Sequence, residues 1–160
     1  MSGSIGDGTL SDVAIVVRGG ECKASDLAFS AWMFYASGRG KWGLSFWWWP
    51  GMTADEIAMR ARENASHDRK SNPLPQPSMK TARLDALLRV LPGTTFEPSF
   101  KDGHYTLTLP LPAPSFAFDA DDAGSSNAAY RAHAQVFDAL AEVMSQRLAN
   151  PAKGTFDVSS

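Results

Sequence analysis

A single cysteine, Cys22, stands in a chain of 160 residues. No internal disulfide can form, and metal sites built on paired thiolates are excluded. That usage fits a reducing compartment, so a cytoplasmic location is expected. Histidine is scarce as well: His67, His104 and His133 include no pair at metal-ligand spacing, and neither a zinc nor an iron site is expected. Charge of one sign is not in excess. A formal net charge of -2 and a pI near 5.9 leave no global basic footprint, which argues against a generic nucleic-acid binder. No apolar run approaches the roughly 18 residues that mark a transmembrane helix. The first eight residues, rich in Gly and Ser, lack the basic and apolar regions of a secretion signal and read as a flexible end. A Walker loop and a dinucleotide-binding glycine fingerprint are also missing.

What the chain does have is core-forming material: 44% of its residues are hydrophobic and 20% charged, which suits one domain with a sizeable core. The expected division is a flexible N-terminus over 1–12, one globular domain over 13–151 and a tail over 152–160. Strand and helix patterns alternate along it. Val13 to Arg18 is a β-forming run closed by Gly19 and Gly20. Ser25 and Asp26 suit the start of a helix with Leu27, Ala31, Phe34 and Tyr35 on its buried stripe, ended by Gly38-Arg39-Gly40. Gly43 to Trp49 is apolar on both faces apart from Ser45, which predicts an interior strand with Leu44, Phe46 and Trp48 buried.

After the turn at Pro50-Gly51, Thr53 and Glu56 have the spacing of a capping box, and a helix is expected to run to about Asn64. Pro73, Pro75 and Pro77 exclude helix and suggest an extended surface loop. A short strand over Met79 to Arg83 and a short helix over Leu84 to Val90 follow. Thr94 to Phe100 and His104 to Leu109 make a hairpin across Lys101-Asp102-Gly103, with Tyr105, Leu107 and Leu109 facing the core. Pro110 to Asn127 reads as an irregular excursion. A last helix is expected along Val136, Phe137, Leu140, Val143, Met144 and Leu148, stopped by Asn150-Pro151. The fold class is therefore α+β, or mixed α/β: a central, partly antiparallel sheet with helices packed on it.

Arg18 is the best functional candidate. A guanidinium at a strand end, followed by two glycines that let a ligand approach the backbone, suits a phosphate or carboxylate. Its structural alternative is a plain ion pair with a carboxylate at the strand end. Ser45, among aromatic neighbours, is either a satisfied core hydroxyl or one facing a pocket, and it lacks the elbow of a nucleophilic serine. His104 is a candidate acid or base, or a partly exposed structural histidine. Glu97, before Pro98, is either a surface charge or a catalytic acid. Trp42, Trp47, Trp48 and Trp49 supply core mass or an aromatic surface for a protein partner.

Arg18-Gly19-Gly20, Gly43-Leu44-Ser45-Phe46 and Gly103-His104-Tyr105-Thr106-Leu107 with Leu109-Pro110 together resemble motifs of a group of small uncharacterised actinobacterial proteins. More distantly, an arginine ending the first strand and a serine in a following one is similar to the arginine-serine-glutamate order of ADP-ribosyltransferase folds. The chain has no Ser-Thr-Ser at Ser45 and no Glu-x-Glu pair downstream. The resemblance implies an NAD-using, toxin-like transferase. Arg18, with Gly19 and Gly20, would grip pyrophosphate; Ser45 would support the NAD-binding strand, with aromatic residues near it such as Trp47 holding nicotinamide; Glu97 would stabilise the cationic ribose. Two other classes remain open: a non-catalytic protein-interaction module built on the tryptophans, and a hydrolase or nuclease using His104.

Overall fold

Strand alternation sorts this chain's side chains onto two sheet faces, and each face finds its own helices. A computed structural model describes residues 14–20, 22–68, 78–99, 102–114, 123–144, 146–149 and 158–159. The strands are β1 (Ile15–Gly19), β2 (Trp42–Trp47), β3 (Ser78–Arg83), β4 (Thr95–Pro98), β5 (His104–Leu109), β6 (Gln146–Ala149) and β7 (Val158–Ser159). They form one sheet in the order β4-β5-β2-β1-β3-β6-β7. Every neighbouring pair is antiparallel, so the sheet goes beyond the partial antiparallel character expected.

Register fixes the two faces. Val17 lies opposite Trp47, and Phe46 opposite Tyr105, so Val16, Arg18, Leu44, Phe46, Tyr105 and Leu107 share one face while Val17, Ser45, Trp47, His104 and Thr106 share the other. The first face carries the main core. It is covered by α1 (Ala24–Phe34), α4 (Ala123–Ala132) and α5 (Ala134–Val143), with α3 (Leu84–Arg89) adding Leu84 and Leu87. Trp32, Trp42, Phe46, Phe96 and Phe137 are fully buried there. At roughly 1.5–3 kcal/mol for each large apolar side chain, these five are the main weight of the fold. On the second face α2 (Ala54–Asp68) sets Ile57, Ala58 and Ala61 against Val17, Trp49 and Met79.

Local chemistry explains most element ends. The expected capping box is present: the Thr53 amide donates to Glu56 Oε1 at 2.9 Å, and the Glu56 amide to Thr53 Oγ1 at 3.2 Å. The helix it starts continues to Asp68, past the Asn64 expected. In α1 the cap is Lys23, with no side-chain hydrogen bond, so Ser25 and Asp26 lie inside the helix instead of capping it. A π-helical turn over Tyr35–Arg39 closes that helix, and Gly38 at φ 96° and Gly40 at φ 71° supply the left-handed backbone.

The Gly43 to Trp49 run is an interior strand as far as Trp47, between β5 and β1, with Leu44 and Phe46 buried. Trp48 lies beyond its end and is half-buried. The β4–β5 hairpin forms as expected, with Tyr105, Leu107 and Leu109 buried, and β3 and α3 fall where the sequence places them. Two segments differ. Ala123–Ala132 is helical although it overlaps the stretch read as an excursion, and the last helix ends at Val143. Gln146–Ala149, including Leu148, becomes a strand because β3 offers it an open edge. Val158–Ser159, inside the expected tail, pairs with it in turn. The proline-rich stretch from Pro73 to Pro77 lies outside the described residues.

Candidate functional site

The chain leaves the sheet at Gly20, and that exit creates a cavity. Gly20 has φ 96° and Cys22 has φ 58°, so two left-handed residues within three positions swing the backbone from β1 to the start of α1. A non-glycine residue there is strained by about 1–2 kcal/mol, and such strain often marks a functional turn. The cavity has a volume of about 360 Å³. Arg18, Gly19, Gly20 and Cys22 form its sheet side; Asp26, Leu27, Phe29 and Ser30, from the first two turns of α1, form its helical wall.

Arg18 is the charged centre of this cavity. Its Nη1 donates to the Ser45 carbonyl at 3.0 Å, beside the point where β1 turns away. Its Nε is buried and has no acceptor among the described residues. The ion pairs found among those residues are Arg60–Asp102, Arg83–Asp85 and Arg89–Asp85, so no strand-end ion pair of Arg18 occurs among the described residues. Burial pulls the guanidinium below its ordinary value, while Cys22 and Asp26 push it back up. It stays charged, because an arginine starts from so high a value. Lys80 lies directly opposite Arg18 on the same sheet face and also enters no ion pair among the described residues.

Cys22 is a neutral member of the wall. Burial pushes its thiol up, against the lowering influence of Arg18 and then Lys80. Its sulfur lies 3.8 Å from the Gly20 carbonyl and 3.9 Å from that of Gly19, distances at which a thiol donates weakly. A protonated, buried thiol is a poor nucleophile. It serves here as a small apolar wall with its sulfur toward Arg18.

The remaining sequence candidates stand elsewhere. Only Arg18, Gly19 and Gly20 line the cavity. Ser45 reaches it through its carbonyl alone, since its side chain belongs to the opposite face. On that second face Ser45, Thr106 and Glu97 lie in one row across β2, β5 and β4. Trp47 and His104 form the next, with ring centroids 4.9 Å apart and edge to face. The expected joint site therefore divides in two: a strand's alternation cannot deliver the Arg18 and Ser45 side chains to one pocket when their register sets them on opposite faces.

The tryptophans are mainly structural. Trp42 and Trp49 are buried, and each satisfies its indole N–H, Trp42 on the Pro112 carbonyl at 3.0 Å and Trp49 on Asp102 at 2.8 Å. Arg60 sits 4.8 Å over the Trp49 ring and reaches Asp102 at 3.5 Å, joining α2 to the β4–β5 turn. Trp47 and Trp48 are half-buried.

Asp26, Phe29 and Ser30 are the site residues that sequence reasoning missed. The available signal was the helical spacing of Asp26 and Ser30, four apart on one face beside the Arg18 strand end. No helix among the described residues is long and apolar enough to cross a membrane, and no cluster of His, Cys, Asp and Glu there could hold a metal ion. No protein-family model, curated protein or solved structure matches the chain.

Proposed function

We propose that this protein binds a small anionic metabolite in the Arg18 cavity. One observation carries the reading: Arg18 lines the cavity, and its guanidinium has a buried Nε with no acceptor, and no carboxylate partner, among the described residues. Leaving a buried donor unmade costs about 1–3 kcal/mol, more when it is charged, and a bound carboxylate or phosphate oxygen would recover that loss. Lys80, in no ion pair among the described residues and on the same face, adds to the positive potential.

Size selects the ligand further. A cavity of about 360 Å³ is at the small end for ligand sites, so a dinucleotide such as NAD would place only one end in it. The NAD-using transferase keeps its place as a narrower version of this reading, with a phosphate on Arg18. In that version the carboxylate available to a developing cation is Asp26, within the cavity, and Glu97 on the far face has no part.

Thermal unfolding with and without ligand tests the reading. Acetate, succinate, phosphate, ADP-ribose and NAD are the probes. A ligand at about 100 times its dissociation constant should stabilise the protein by roughly 2.7 kcal/mol. Arg18→Ala should abolish the shift and leave the unliganded protein folded; Arg18→Lys should restore little, because it loses the planar fork. Absence of an Arg18-dependent shift with every probe would defeat the proposal.

A further inference from the structure

Charges of both signs line the Arg18 cavity without meeting. Arg18 stands on the sheet side and Asp26 on the first turn of α1, and the carboxylate acts on the guanidinium through space. No ion pair joins them. Two opposite charges on one small cavity ordinarily pair directly when they can reach. The cavity lining thus carries a cation on its sheet side and a carboxylate on its helical side. Ser30 lies one helical turn from Asp26, on the same side of α1, and adds a hydroxyl acceptor to the helical side. Leu27 and Phe29 supply the apolar wall between.

Resting on the anion-binding reading above, we infer that the ligand is an amino-carboxylate, an α-amino acid or a close relative with an apolar side chain. Its carboxylate takes the Arg18 guanidinium. Its ammonium group donates to Asp26 and Ser30, and its side chain lies along Leu27 and Phe29. Asp26 also disfavours the main competitor: a phosphate dianion would bring a second negative charge toward this carboxylate, whereas an ammonium group relieves it. The cavity volume is suited to a ligand of amino-acid size and leaves little room for a nucleoside beside it.

The test uses matched probes and calorimetric titration of the full chain. Phenylalanine carries both charged groups, 3-phenylpropanoate only the carboxylate and phenethylamine only the ammonium. Phenylalanine should bind at least about tenfold more tightly than either, since one charged hydrogen bond in a cavity is worth that factor or more. Asp26→Asn should erase the preference over 3-phenylpropanoate; Arg18→Ala should remove binding of both acids. Both variants are checked for an unchanged circular dichroism spectrum, and Asp26 is exposed. Equal binding of phenylalanine and 3-phenylpropanoate, or a preference that survives Asp26→Asn, overturns the amino-carboxylate assignment. So does Arg18-dependent binding of phosphate or NAD with none of phenylalanine, although that result upholds the anion pocket. Failure of every anion to bind through Arg18 overturns both.

Discussion

Gly103→Ala is the substitution for which the fold makes its sharpest demand. Gly103 has φ +77°, and a Cβ there would overlap the Trp49 indole, lying 2.6 Å from its Nε1. That ring has little freedom to yield. Trp49 is only 4% exposed, is stacked on Trp47, and is held by its bond to Asp102 and by Arg60 above it. The backbone term costs about 1–2 kcal/mol, and forcing a packed ring aside costs typically about 1–3 kcal/mol. The sum is about 2–5 kcal/mol, or roughly 5–20 °C in Tm for a protein of this size. Gly51→Ala is the control, because Gly51 has φ +74° with nothing within 4 Å of the added Cβ. It should lose the backbone term alone. Urea unfolding of the parent and both variants, with indole fluorescence as the signal, separates the two terms. A Gly103→Ala protein no less stable than Gly51→Ala would refute the packing of Trp49 against this turn.

Phe137→Ala, which empties a fully buried site between α5 and the sheet, should cost about 3–5 kcal/mol in denaturant unfolding; a loss under about 0.5 kcal/mol would contradict that packing. Asp85 should make stability depend on acid: hydrogen bonding to Arg83 first, and Arg83 and Arg89 charge with the Ala86 amide besides, hold its carboxyl near about 2 against an ordinary 3.8, despite the opposing effect of burial. Because the folded value is the lower one, its contribution is present above pH 3.8 and is lost as pH falls through about 2. Asp85→Asn should flatten the fall in Tm across that window, and an unchanged slope would count against it.

Sequence alone carried the sheet further than the site. Leu44 and Phe46 flanking Ser45, the Thr53–Glu56 spacing and the Gly103 hairpin are local patterns, and each became the element expected. Leu148 extends the apolar stripe of the last helix as well as it suits a strand, and only the edge of β3, far away in sequence, decides for the strand. Ala123–Ala132 has small residues and no broad stripe, and Ala129 is fully buried, so its helix owes more to packing on α1 than to pattern. The site failed for a related reason. Val16 and Val17 are both fully buried, one on each face, so β1 gives no alternation to say which face Arg18 shares. Register with β2 settles it, and register is not local.

The central claim is that the Arg18 guanidinium, whose buried Nε–H has no acceptor among the described residues, binds an anion. Its side-chain Nε–H resonance, assigned in the ¹H–¹⁵N spectrum by its loss in Arg18→Lys, reports on that group directly. Addition of phenylalanine, or of the tightest anion from the thermal panel, should move this resonance downfield and slow its exchange with water. The Arg83 Nε–H, already bonded to Asp85 at 3.0 Å, should stay in place as the internal reference. An Arg18 resonance that ignores every anion, while the protein remains folded, would contradict the account.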